Sequence, residues 1–271
     1  TGGAFGILAR NYNGGAMNIV ADNVTGTTFT GIYARNDASG SPLSVTTYGT
    51  VIGGDNGIYA TNLGAGDLSV TVSGQTTGTA LAGIYTATGP GGQAFITLEN
   101  GADVSGGTYA VFNDFGNSDS YFNDGSTVSG VSLFDDGSDN LTIADADILA
   151  VTVLDGGDAS SVADGFVDVL TFDGFNGAFS ADLLNWEEVI FDNSDATFTG
   201  AAITAPTVDL INGTTFSPTN PNFMLNAELG LDGTSEFNAG VPGAGNVMIN
   251  GNVTGAGTLS TVDDAADDML T

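Results

Sequence analysis

Apolar and polar residues alternate with a period of two along most of this chain, in short runs broken by Gly, Asn, Asp and Ser. That pattern belongs to half-buried strands, and the frequent breaks make the strands short. The runs also recur. Gly6-Ile7-Leu8-Ala9-Arg10-Asn11 reappears as Gly31-Ile32-Tyr33-Ala34-Arg35-Asn36 and as Gly57-Ile58-Tyr59-Ala60-Thr61-Asn62, with weaker copies at Gly83-Ile84-Tyr85-Thr86 and Gly107-Thr108-Tyr109-Ala110. The steps are 25, 26, 26 and 24 residues. A fixed period of this size marks a solenoid.

Each period holds two further strands. One passes through Met17-Asn18-Ile19, Leu43-Ser44-Val45, Leu68-Ser69-Val70 and Phe95-Ile96-Thr97, and the other is a Val-x-Gly corner at Val24, Val51, Val104 and Val128. Three strands per turn predict an all-β, right-handed parallel β-helix in which each strand pairs with its counterparts one turn above and below. Asn-Gly pairs at Asn13, Asn56 and Asn100 are expected to supply positive-φ corners. Helices are excluded by the two-residue alternation and by 42 glycines in 271 residues. The 25-residue step is also too short for a propeller blade.

Side-chain direction follows from Arg10 and Arg35, which share a column and, as unpaired cations, must face water. Leu8 and Tyr33, two residues earlier, then also point outward, and Ile7, Ile32, Ile58 and the alanines point inward. Tyr33, Tyr59, Tyr85 and Tyr109 are therefore predicted to form an exposed ladder, about 4.8 Å per step. Such a ladder either stabilises neighbouring turns or binds a sugar or protein.

Residues 1–130 carry the regular turns. Residues 131–271 continue the same β-helix more loosely, with D-x-L-T starts at Asp139, Asp168 and Asp268 and a strand at Asn185-Trp186-Glu187-Glu188-Val189-Ile190-Phe191. About 11 turns would make a rod roughly 50 Å long.

Composition narrows the chemistry. There are 32 carboxylates against two arginines, with no lysine, histidine or cysteine, for a formal charge of −30. Such a surface repels nucleic acid and anionic lipid. With 41% hydrophobic residues in a regular pattern, the chain is expected to fold. No apolar run is long enough to cross a bilayer and no basic-then-apolar signal opens the chain, so targeting and anchoring parts are expected to lie outside this segment.

The GIYA-type turns, the D-x-L-T steps, the Asn185-Trp186-Glu187 strand, and Gly255-Ala256-Gly257-Thr258-Leu259 leading to Asp267-Asp268-Met269-Leu270-Thr271 together resemble the passenger domain of a Gram-negative type V autotransporter near its autochaperone junction. The resemblance implies a β-helix carried to the cell surface by a C-terminal β-barrel outside this sequence. It also implies a role in adhesion, aggregation or host interaction, with a protein or glycan of a host or sister cell as partner. Self-association of such acidic rods would strengthen with salt or divalent ions.

Protease and esterase passengers of that family need histidine, which is absent here. Without lysine, Schiff-base and Ser-Lys chemistry and phosphate-binding P-loops are excluded as well. The remaining route is carboxylate catalysis, with Asp135/Asp136, Asp145/Asp147 and Glu187/Glu188 as candidate pairs in a polysaccharide hydrolase or lyase. Adjacent acids on a strand point to opposite faces, so these read as solvated turn carboxylates. Gly53-Gly54-Asp55-Asn56-Gly57 and Gly156-Gly157-Asp158 are only fragments of a calcium-binding nonapeptide repeat. The sequence therefore predicts a non-catalytic interaction module without cofactor or metal site. The alternatives are the carboxylate enzyme and a passive stem for a more N-terminal effector domain.

Overall fold

In the computed structural model, which describes residues 3–37, 41–157, 165–239 and 247–260, the chain is all-β and winds as a parallel β-helix of about ten turns. No helix occurs among the described residues. Early turns carry three strands each, as in Ile32–Asn36, Leu43–Thr47 and Val51–Gly53. Each lies on its counterpart in the next turn, with Ile32 opposite Ile58, Leu43 opposite Leu68 and Val51 opposite Thr76. The turn lacking the expected Val-x-Gly thus uses Thr76-Thr77-Gly78 instead. The second face passes through eleven strands in succession, from Met17–Ala21 to Met248–Ile249. Its ten steps span about 50 Å at the spacing of paired strands.

The corner glycines are dictated by crowding. Gly26, Gly53 and Gly78 stack in one column, and Gly106 continues it. A Cβ built on Gly53 would run into the Asn56 carbonyl, and one on Gly106 into that of Tyr109. The Asn-Gly expectation holds at Gly14 and Gly101, with φ of 86° and 87°. It fails at Asn56-Gly57, where Gly57 is not in the left-handed region. There Asn56 is buried and its Oδ1 accepts the Ala82 N–H at 3.1 Å, while glycine is needed because a Cβ would meet Gly83 O at 2.7 Å.

At Gly130, φ 112°, the crowded corner is lost and the strand runs straight through. Thr127–Asp136 pairs first with Asp103–Gly106 and then with Tyr109–Phe115, so two faces merge and residue 130 falls inside a continuous strand. The turn length then changes. Paired residues in the first part are 25 to 27 apart, from Ile7 through Ile32, Ile58 and Ile84 to Val111. Farther on, Phe122, Ile143, Phe172, Phe191, Leu210 and Leu231 are spaced by 21, 29, 19, 19 and 21. A uniform 25-residue turn is therefore not kept, because corner loops lengthen or shorten while the ladders keep their register apart from shifts within two strand pairs. Pro206 sits in one such irregularity, at the register shift between Thr204 and Thr207, where its missing N–H costs no ladder bond.

The interior changes with the turn length. In the first part Ile32, Ile58 and Ile84 stack fully buried, with Ala34 and Ala60 beside them. In the second part the filling is phenylalanine: Phe172 and Phe191 are stacked at 4.6 Å and 4°, and Phe191 lies 4.9 Å from Phe216. A polar column also runs inside. Asn11, Asn36 and Asn62 stack in register, and the Asn62 amide lies 2.7 Å from Gly66 O and 2.9 Å from Ser41 O. The Asn36 amide donates to the same Ser41 carbonyl at 2.9 Å. These side chains satisfy corner carbonyls that would otherwise be buried without a donor.

Candidate interaction surface

Strand alternation puts Tyr33, Tyr59 and Tyr85 in one outward column, since each follows an inward isoleucine. Tyr33 and Tyr59 are stacked at 5.0 Å and 7°, and Tyr59 and Tyr85 at 4.4 Å and 2°. The column is half-buried, where the sequence had suggested full exposure. Tyr109 does not belong to it. The residue paired with Tyr85 is Phe112, because Ile84 lies opposite Val111, and Tyr109 lies opposite Ala82 instead. The fifth copy of the repeat is therefore Ala110-Val111-Phe112-Asn113, three residues later than the glycine at position 107 suggests. Tyr109 instead packs on Phe112 at 4.7 Å, and with Leu81 and Tyr85 it helps line a cleft of about 190 Å³.

Ring stacking has a chemical consequence. Both faces of Tyr59 are covered by its neighbours, and the outer face of Tyr85 meets the edge of Phe112 at 5.4 Å. At the other end, Phe5 approaches Tyr33 edge-on at 5.7 Å and the Arg10 guanidinium lies 5.1 Å from its ring centre. The column thus offers edges and hydroxyls, not open faces on which a sugar could lie. Its aromatic energy goes into joining turns.

Both cations of the sequence stand at this column, Arg10 and Arg35 being register partners. Arg10 is exposed, as expected, but Arg35 is not unpaired: its Nε lies 2.7 Å from Asp37 Oδ1. At the far end the Tyr85 hydroxyl donates to the Asp114 carboxylate. Burial, followed by that bond to an anion, pushes the Tyr85 phenol strongly up, and burial raises Tyr59 as well. A raised phenol stabilises the fold fully below the ordinary phenol range near pH 10, and this contribution is lost as pH rises through the folded-state value. In an absorbance titration of the seven tyrosines, two should therefore ionise late and together with unfolding. Simple titration of all seven near pH 10 in the folded protein would contradict the stack.

The candidate carboxylate pairs fall in separate surroundings. Asp135 and Asp136 occupy the end of a strand, half-buried and exposed. Asp145 and Asp147 are both exposed, Asp145 accepting the Asn176 N–H at 2.7 Å and Asp147 the Leu149 N–H at 3.1 Å. Glu187 is buried and Glu188 lies half-buried on the other side of the strand. No protein-family model, curated protein or solved structure matches this chain.

The D-x-L-T steps gain a structural meaning. Leu141 and Thr142 pair with Leu170 and Thr171, and Asp139, the first residue of its strand, and Asp168, just before its own, are both fully buried. Asp168 Oδ1 accepts the Asp139 N–H at 2.8 Å, and Glu187 Oε2 accepts the Asp168 N–H at 2.7 Å. Each acid thus caps the strand of the preceding turn. The next residue after the corner at Asn185 is Trp186, fully buried, whose indole N–H donates to Leu154 O at 2.9 Å. Asp158 and the third step at Asp268, with its neighbours Asp267 to Thr271, lie outside the described residues.

Sequence reasoning passed over one outward group. Phe95, Thr97, Asp119, Tyr121, Asn140 and Thr142 occupy alternate positions on three successive strands of the second face. The signal was present as the repeated strand beginning Leu43-Ser44-Val45, whose outward Ser and Thr give way to Phe95 and Tyr121 in these turns.

Proposed function

We propose that this chain is a passenger segment of a Gram-negative type V autotransporter and serves at the cell surface as an adhesion or aggregation module. The observation that carries this reading is the frame itself. Eleven successive strands of one face hold outward side chains in fixed register along about 50 Å, the kind of extended, rigid surface that solenoids use for contact. The −30 charge favours a partner that is neutral or basic. The partner in this reading is a protein or glycan of a host or sister cell, and membrane attachment comes only from a barrel outside this sequence.

The test is display of residues 1–271 on cells through an unrelated outer-membrane anchor. Cells carrying the segment should bind a host-cell layer or clump, and the clumping should increase when salt screens the like charges. Cells that neither bind nor clump would favour a passive stem. Polysaccharide turnover by the purified chain, abolished by a single Asp→Asn change, would favour a carboxylate enzyme.

A further inference from the structure

We infer that the outward group on the second face, centred on Asp119 between Phe95 and Tyr121, is a binding site for a neutral glycan. This deepens the interaction reading above and rests on it only for its biological use.

Phe95, Asp119 and Asn140 form one column and Thr97, Tyr121 and Thr142 the next, so the six make a block two positions wide and three turns high. Its footprint is about 7 Å by 10 Å, the extent of one or two pyranose rings. The block lines a shallow depression of about 280 Å³. Phe95 and Tyr121 stand diagonally across it. Unlike the tyrosine column, neither packs against another ring among the described residues, and Tyr121 is 38% exposed. Two ring faces free of aromatic partners beside polar groups suit the apolar face of a sugar.

Between the rings the polar groups are already oriented. Asp119 Oδ2 accepts from the Gln93 amide at 2.7 Å, and Asp119 Oδ1 from the Asn140 amide at 2.8 Å. An ionised carboxylate has lone pairs to spare after one bond at each oxygen, so both oxygens can still accept from sugar hydroxyls. The Thr97 and Thr142 hydroxyls flank it and can donate or accept.

Competing ligands fit less well. An extended peptide cannot add here as a strand, because Ala94–Leu98, Ser118–Phe122 and Asp139–Ile143 are paired on both sides. Acidic sugars and phosphates meet a carboxylate, and both arginines of the chain belong to a different face. A basic side chain would find a single carboxylate in the block, with no second acid among its six residues to hold it.

The experiment uses the purified full chain on immobilised gluco-, galacto- and manno-oligosaccharides, with sialylated and uronate-containing sets beside them. The chain should bind at least one neutral set and neither acidic set, with little loss in about 1 M salt. Tyr121→Ala, Phe95→Ala and Asp119→Asn should each weaken binding at least about tenfold. Tyr48→Ala, at an exposed corner elsewhere, should leave it unchanged. All four side chains face outward, so circular dichroism melting should show each variant folded. Failure of every neutral set to bind, full binding by Tyr121→Ala, preference for the acidic sets, or competition by an arginine-rich peptide would each overturn the assignment. If displayed cells still adhere in that case, the site falls while the adhesion reading stands. If glycan binding is found without cell adhesion, the site stands and the adhesion reading falls.

Discussion

Ile58→Asp is expected to cost more than about 4 kcal/mol and to leave much of the chain unfolded at 37 °C. Ile58 is fully buried, lying between Ile32 and Ile84 in adjacent turns, both also fully buried. An aspartate there would be surrounded by aliphatic side chains and alanines, with no cation anywhere in the interior to pair with it. The damage should also spread, because each turn of a solenoid is held only by its neighbours. Thr71→Asp adds the same charge on the outward side of the second face and should cost less than about 1 kcal/mol. Urea unfolding followed by far-UV circular dichroism measures both. Equal losses would mean that the inward and outward assignments are wrong.

Phe191→Ala should destabilise by about 3 to 5 kcal/mol. Its ring is stacked on Phe172, tilted against Phe216 and close to Phe179, at 4.6, 4.9 and 6.2 Å. Removing it opens a void that backbone ladders fixed on both sides cannot close, and deletes ring contacts worth about 0.5 to 1.5 kcal/mol each. Phe191→Leu refills most of that volume and should cost clearly less. Ile190→Ala, one residue away on the outward side, should have a small effect. A loss at position 191 no larger than at position 190 would show that the second half is not held by its phenylalanine interior.

Both results depend on features of unequal visibility in the sequence. Alternation within a strand is local, and near-identical copies such as Gly31-Ile32-Tyr33-Ala34 and Gly57-Ile58-Tyr59-Ala60 fix the register by themselves. The parallel pairing, the inward isoleucines and the outward tyrosine column were therefore legible. Where copies decay, register depends on how many residues each corner holds, and nothing local constrains that number. The glycine at 107 points to Tyr109 as the ladder member, although a corner three residues longer brings Phe112 to that place. The shift to turns of 19 to 21 residues around Phe191 has the same origin.

The polar interior was hidden for another reason. Asn36 and Asn62 repeat visibly, but their partners are corner carbonyls such as Ser41 O, and a carbonyl leaves no trace in a sequence. Asp168 and Glu187 likewise look like ordinary turn acids until the chain brings their carboxylates to the Asp139 and Asp168 N–H groups of the preceding turns. The candidate glycan site joins residues from three turns, Phe95 and Asn140 being 45 positions apart. Its open rings differ from the tyrosines in what lies against their faces, which residue type alone does not reveal.

Pairwise distances along a single outward column test the stacking most directly. Thr46, Thr71, Thr97, Tyr121, Thr142, Thr171, Ile190 and Asp209 follow one another in register. The chain has no cysteine, so pairs of introduced cysteines can carry spin labels cleanly. Labels at 46 and 171, five steps apart, should lie about 24 Å from each other, and labels at 46 and 209, seven steps apart, about 34 Å. A separation that grows by one strand spacing per turn is the expected result; distances unrelated to the number of intervening turns would contradict the β-helix and everything built on it.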